Sequence, residues 1–369
     1  MIRVALVVGT RPEAIKLGPV YRALERREGV EPTVIFSGQH GVILEPIIEL
    51  FNLDRRIELN SRDGAGELSA FAGRFLIDMG DLLSHRRFDA MVVQGDTTSA
   101  LIGGLAAAYA GIPVAHVEAG LRSHDMAEPF PEELNRKMLA SACRWHFAPT
   151  TLAAENLGRE GFNYQVHDVG NTVVDAALWT ASHAQTAAAV ASRFPRLRSR
   201  KTVLVTAHRR ESFGAPMRQI GAAVAAIARM HCDLDFVVPL HPNPNASNPM
   251  RAALDTVSNV HLCDPLPYSV IVGLMADAHS ILSDSGGLQE EAPTFGVPVL
   301  VLRNLTERPE GVQRGCNIMV GTNQAAIVGG FNQLVGEGID YDARRALGNP
   351  YGDGASAKRI ADIMLGDLG

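Results

Sequence analysis

The sequence predicts an α/β protein made of two Rossmann-like, doubly wound domains. Three observations carry this. The chain has 369 residues, more than one compact core usually holds. Short apolar runs bounded by turn residues alternate with longer helical patterns. The runs are also near-continuously apolar, as strands are when helices cover both faces of a parallel sheet.

In the first half the expected strands are Ile2–Val8, Thr33–Ser37, Ala90–Gln94, Val114–Val117, His146–Ala148 and Val166–Val169. In the second half they are Thr202–Thr206, Phe236–Pro239, Val260–Cys263, Ile281–Ser283, Val299–Leu302 and Ile318–Val320. Two such sets in succession indicate two domains, divided near Gly170-Asn171-Thr172, where a strand ends and an Ala-rich helix begins. The first is expected over 1–170 and the second over 171–354. The basic run Arg193–Lys201 reads as a solvated approach to the second domain's first strand. Two such domains facing each other would form a ligand cleft where the strand C-termini converge.

Composition narrows the function. Hydrophobic residues make up 46% and charged residues 20%, the balance of an ordinary soluble globular protein. A net charge of -6 argues against a general nucleic-acid binder, which carries a basic excess. Cys143, Cys232, Cys263 and Cys316 form no C-x-x-C pair and read as reduced packing thiols. The apolar start Met1–Val8 is too short for a signal peptide and reads as a buried strand. No stretch is long and apolar enough to span a bilayer. A reducing cytoplasm, without membrane partners, is therefore expected.

The residues suited to chemistry stand at strand ends. Gly9-Thr10-Arg11-Pro12-Glu13-Ala14-Ile15-Lys16 follows the first strand; Arg11 at a helix N-terminus favours an anion, and Lys16 lies one turn inside. An ordinary strand-to-helix turn explains the same residues. The segment is not G-x-G-x-x-G, so it calls for no dinucleotide cofactor. Asp96, after Gln94-Gly95, serves equally as a helix N-cap or a catalytic acid. Glu118 ends a strand that reads as buried, and an acid there needs a partner or a task. In Pro129–Arg136, a helix opened by Pro131 sets Glu132, Asn135 and Arg136 on one face, although Glu132 and Glu133 also suit the helix dipole.

In the second half, His208 between Ala207 and Arg209-Arg210 suggests a phosphate contact. Ser285, Gly286 and Gly287 leave backbone N–H groups open at a helix start, suited to a diphosphate. Glu291 inside that helix suits a ribose, and Arg303–Glu310 supplies a further guanidinium. No His, Asp or Glu set has zinc or calcium spacing, so no metal is expected.

Ten of these and neighbouring stretches, in order along nearly the whole chain, resemble the non-hydrolysing UDP-N-acetylglucosamine 2-epimerases: GTRPEAIK, QGDTTSA, HVEAGLRS, PFPEELNR, VGNTVVDA, HRRESFG, LHPNPN, SDSGGLQEEAP, RNLTERPE and NPYGDG. The resemblance implies a glycosyltransferase-type B architecture, with a last helix near Ala355–Leu368, in segment 355–369, packing back on the first domain. It assigns Asp96, Glu118, Glu132 and His208 to catalysis. It assigns Arg11, Lys16, Ser285, Gly286, Gly287, Glu291 and Arg308 to the nucleotide sugar, and implies a homodimer. Ile271 stands where many relatives carry a phenylalanine near the uracil. After Gln39-His40, Gly41-Val42-Ile43 replaces the Arg, polar residue and Met of relatives that bind an activating second substrate molecule. Arg209, Arg210 and His241 of that neighbourhood remain, and the expectation is an enzyme without substrate activation.

The implied chemistry explains the acids. The hydrogen on carbon 2 of the sugar is not acidic, because no carbonyl adjoins it. Breaking the bond from carbon 1 to UDP builds oxocarbenium character, which acidifies that hydrogen. A carboxylate then removes it, leaving 2-acetamidoglucal and UDP. Re-protonation on the opposite face and return of UDP invert the centre, which needs an acid/base group on each face. Neither metal nor nicotinamide is required. The alternatives are a 2-epimerase for a modified UDP-N-acetyl sugar such as a diacetamido uronate, a retaining glycosyltransferase on the same fold, a hydrolysing epimerase, and a UDP-sugar sensor without turnover.

Overall fold

The computed structural model describes residues 1–39, 44–61, 67–197 and 201–369. The chain divides into two compact units, Met1–Ala176 with Gly352–Gly369, and Ala177–Tyr351.

In unit 1 the elements run β1 (Ile2–Val8), α1 (Arg11–Glu25), β2 (Val30–Phe36), α2 (Glu45–Phe51), β3 (Arg56–Glu58), α3 (Leu68–His85) and β4 (Ala90–Gln94). They continue as α4 (Thr98–Tyr109), β5 (Val114–Val117), α5 (Glu132–Ala142), β6 (Trp145–Ala148), α6 (Thr151–Arg159) and β7 (Val166–Asp168), and α7 (Thr172–Ser182) leads into unit 2. The seven strands are parallel, in the order β3-β2-β1-β4-β5-β6-β7. Their order reverses between β1 and β4, the switch point outside which open α/β sheets bind ligands. Val4 to Val8 and Ala90 to Gln94 are all buried, which is why these strands read as continuous apolar runs.

Unit 2 runs α8 (Ala184–Arg193), β8 (Thr202–Thr206), α9 (Ala215–Met230), β9 (Asp235–Pro239), α10 (Pro244–Leu254), β10 (Val260–Cys263) and α11 (Tyr268–Ala276). Then come β11 (Ser280–Ser283), α12 (Gly286–Glu291), β12 (Val299–Val301), α13 (Pro309–Gln313), β13 (Asn317–Met319), α14 (Gln324–Glu337) and α15 (Tyr341–Ala346). Its six strands are parallel in the order β10-β9-β8-β11-β12-β13, with the switch point between β8 and β11. The core gathers Val203, Val205, Ile220, Val224, Phe236 and Phe331 around this sheet.

The last helix, α16 (Ser356–Leu368), belongs to unit 1 and lies against α1. Ile360, Ala361 and Met364 are its buried face. Polar ties hold it as well. Asp175 accepts from Ala357 N at 2.9 Å, Trp145 Nε1 donates to Asp367 at 2.7 Å, and Arg27 pairs with Asp362.

Three expectations need correction. The edge strand β3, Arg-Ile-Glu, was not expected, because it is short and charged and carries no apolar run. β2 begins at Val30, not Thr33, and includes Pro32. Val34 N donates to Arg55 at 2.8 Å, so the position two residues earlier faces the same side, beyond the start of β3. A proline there forfeits no ladder bond. The four cysteines are free, but Cys232 is exposed rather than packed. Among the described residues no helix is long and apolar enough to cross a membrane.

Candidate active site

In unit 1 the expected site residues gather at the strand C-termini. Thr10 caps α1 in extended conformation, Arg11 is the first helical residue, and its side chain is exposed. Lys16, one turn on, ion-pairs with Glu118 just beyond β5. Asn171 Nδ2 donates to the same Glu118 oxygen at 3.2 Å. The backbone of Glu118 has φ +66°, a left-handed conformation uncommon for a residue with a side chain. Such strain persists where the surroundings enforce it. Here the two side-chain donors and the start of a loop do so.

Asp96 follows Gly95, whose φ of +71° turns the chain out of β4. Arg136 Nη2 reaches its Oδ2 at 2.5 Å and Arg136 Nε at 2.9 Å, while Asn135 Nδ2 donates to its carbonyl at 2.8 Å. The helix cap of α4 is Thr97, which accepts from Ala100 N at 3.0 Å, so Asp96 is released from that role. Glu132 opens α5 half-buried, with no side-chain hydrogen bond or ion pair among the described residues. Its neighbour Glu133 is buried and accepts from Ser123 N at 3.0 Å and Arg136 Nη1 at 3.1 Å. Burial pushes the Glu133 carboxyl up, but the Ser123 and Arg136 hydrogen bonds outweigh it and hold the group below its ordinary value. The face expected for Glu132, Asn135 and Arg136 therefore forms, with Asn135 and Arg136 turned to Asp96.

In unit 2 the loops after β8 and β11 flank the switch point. Asp284 is fully buried and takes the backbone amides of His208 at 2.7 Å and Arg209 at 2.8 Å on Oδ2. His208 Nδ1 lies 3.3 Å from Oδ1, and its ring stacks on His241 with centroids 5.8 Å apart. Ser285 N donates to Ser283 Oγ at 2.9 Å. Neither Gly286 nor Gly287 has a positive φ, and a Cβ on either would meet nothing closer than 3.6 Å. Backbone conformation and packing thus leave these glycines unexplained, whereas the close approach of a ligand explains them. Arg308 is fixed by the buried Glu290, and Glu291 accepts from Tyr268 Oη at 2.8 Å. Arg303 turns to Glu211 at 2.7 Å.

A profile of the UDP-N-acetylglucosamine 2-epimerase family matches residues 22–365. The chain is 43% identical to a probable UDP-N-acetylglucosamine 2-epimerase of Ralstonia nicotianae over 98% of each chain. It is 40% identical to the UDP-N-acetylglucosamine 2-epimerase of Escherichia coli, again over 98% of each. The chain belongs to the UDP-N-acetylglucosamine 2-epimerase family. Among solved structures, the Neisseria meningitidis UDP-GlcNAc 2-epimerase bound to UDP-GlcNAc superimposes with a TM-score of 0.89 at 39% identity, covering 99% of this chain and 100% of that one.

Against this epimerase family, the strand-end segments that read as chemical are the ones the fold brings together within each unit. Three residues escaped sequence reasoning: Glu13, Glu133 and Asp284 are buried acids whose partners are mostly backbone amides. Their signal was an acid one turn into a helix or directly after a strand, which an N-terminal dipole explains equally. Gln39 accepts from Ser99 Oγ at 2.7 Å. His40, Gly41, Val42 and Ile43, on which the absence of substrate activation was expected, lie outside the described residues.

Proposed function

We propose that this protein interconverts UDP-N-acetylglucosamine and UDP-N-acetylmannosamine by eliminating UDP and returning it across 2-acetamidoglucal. The observation that carries the reading is the set of carboxylates after β4 and β5 and at the start of α5, where Asp96 and Glu118 are oriented by cations and Glu132 is left open. A centre inverted by removal and return of a proton needs such groups in more than one direction. Lys16 and Asn171 aim Glu118, and Arg136 aims Asp96. A retaining transferase has no use for this acid set.

The nucleotide contacts are drawn from unit 2. Gly286 and Gly287 admit the diphosphate to the backbone amides, Ser285 adds its hydroxyl, and Glu290 holds Arg308 ready for charge that grows as the carbon–oxygen bond breaks. His208, fixed by Asp284 and His241, donates to the departing phosphate oxygen. Glu291, oriented by Tyr268, accepts from the ribose hydroxyls. Arg11 adds a guanidinium from the first turn of α1. None of these steps calls on a metal or nicotinamide.

We also propose a homodimer in a reducing cytoplasm. Ile77 on α3, Tyr109 on α4 and Met138 on α5 are 72%, 75% and 51% exposed on neighbouring helices, which supports a covered apolar face, and the four free thiols suit a reducing compartment. Sedimentation would give a monomer if the face is idle.

The deciding experiment is incubation with UDP-N-acetylglucosamine in deuterium oxide, followed by proton NMR. The expected product is UDP-N-acetylmannosamine carrying deuterium at carbon 2. A product without deuterium overturns elimination, and an unchanged substrate overturns the activity.

A further inference from the structure

Glu13 lies inside unit 1, 1% exposed, and no step above uses it. Its Oε2 accepts from Gly9 N at 3.0 Å, Thr10 N at 2.6 Å and Thr10 Oγ1 at 2.7 Å. Its Oε1 accepts from Thr97 Oγ1 at 2.6 Å. An ionised carboxylate can only accept, so Thr97 Oγ1 is the donor, and the same hydroxyl oxygen also accepts from Ala100 N at 3.0 Å.

A capping box at the start of α1 explains the bonds to Thr10. It does not explain the bond to Thr97, which lies 84 residues away in the loop after β4. The two loops joined by this carboxylate follow β1 and β4, neighbouring strands on either side of the switch point. One loop carries Arg11 and leads to Lys16; the other carries Asp96. Burial pushes the Glu13 carboxyl up to about 7 against its hydrogen bonds, so the fold keeps the group there at a cost. Among the described residues no cation pairs with it, which leaves hydrogen bonding across the two loops as its work.

We infer that Glu13 is a positioning residue that locks the loop bearing Arg11 to the loop bearing Asp96, holding the substrate-facing groups of the two at one fixed spacing. This rests on the epimerase reading above. It follows that the Glu13–Thr97 bond acts on the chemical step more than on nucleotide binding. Small displacements of a catalytic group lower rates steeply, because the reacting atoms must meet at near-contact distance.

The test is a cycle of Glu13→Gln and Thr97→Val with Thr97→Ser as the rescue. E13Q places an amide where four donors point and keeps the α4 cap, whereas T97V removes the bridging hydroxyl and leaves Glu13 in place. Each should lower kcat about 10- to 100-fold with the Kd for UDP changed less than about threefold, and the double variant should lose no more than the worse single one. T97S should restore kcat to within a few-fold. Near-normal kcat in both E13Q and T97V, or losses that multiply in the double variant, overturn the proposal. An activity-independent arm is amide exchange at Gly9 and Thr10, expected about tenfold or more faster in T97V and unchanged in T97S. Unchanged exchange in T97V overturns the lock even if the wild type proves inactive on UDP-N-acetylglucosamine, an outcome that would fault the activity reading instead.

Discussion

Asp96 is held by Arg136 and Glu118 by Lys16 and Asn171, whereas Glu132 has no side-chain partner among the described residues. Glu118→Gln keeps the shape but takes away the base and the negative charge that faces Lys16. Glu132→Gln changes a side chain that bonds to nothing among the described residues. Both should cost ~100- to 10,000-fold in turnover, with UDP affinity by calorimetry nearly unchanged. Near-normal turnover in both would make these glutamates structural. Ser285→Ala and Arg308→Ala should do the reverse, weakening UDP by about tenfold or more through a lost charge-assisted hydrogen bond. Two other buried groups set a pH dependence. Folded Glu13 keeps its proton up to about 7, while the unfolded chain releases it near 4.5, so stability falls as pH rises through that window. Burial holds His116 down at about 4 against 6.5, so the unfolded chain binds the extra proton and stability falls as pH drops through 6.5 toward 4. Each effect is about 3 kcal/mol, and between them the slopes oppose. His116→Asn removes only the second. Its stability deficit against the wild type, measured by urea unfolding, should shrink by about 3 kcal/mol between pH 7 and pH 4. A constant deficit would mean that His116 titrates normally.

At the scale of elements, the loop after β5 depends on one close approach. Gly120 has φ +87°, and a Cβ there would lie 2.1 Å from the Ala153 carbonyl oxygen of α6. Asn156 Nδ2 clasps the Gly120 carbonyl at 3.1 Å from the same helix. Gly120→Ala should destabilise the protein by at least about 2 kcal/mol and lower turnover with it, since Glu118 is two residues away. Denaturant melts of the variant check this, and an unchanged midpoint would show that α6 yields. The strands were legible because buried parallel strands announce themselves as apolar runs; β1, β4 and β5 sit where the sequence puts them. β3 was not, since an edge strand of Arg56, Ile57 and Glu58 needs only one apolar side chain. For the site, the sequence exposes positions but not pairings. Lys16 and Glu118 meet because β1 and β5 lie on the two sides of β4, a fact of strand order that no local pattern contains.

At the scale of the whole molecule, both units solve one problem in the same way. Each sheet reverses its strand order, and at each reversal a buried acid gathers the amides of the loop beside it: Glu13 at Gly9 and Thr10, Asp284 at His208 and Arg209. Removing residues 352–369 tests how far unit 1 relies on its returning helix. It would expose the partners of Ile360, Ala361 and Met364, and the shortened chain should lose two-state unfolding and become protease-sensitive within unit 1, while unit 2 keeps its resistance.

That returning helix also orders events at the ribosome. The strands of unit 1 emerge first, yet α16, which covers α1, is translated only after the whole of unit 2. From the end of α1 to the end of α16, at ~5–20 residues per second, an apolar side of α1 stays uncovered for roughly 17 to 70 seconds. The nascent N-terminal half is thus expected to keep apolar surface open until the last stretch of synthesis, and the second half, whose elements are contiguous, is free to fold before the first is finished.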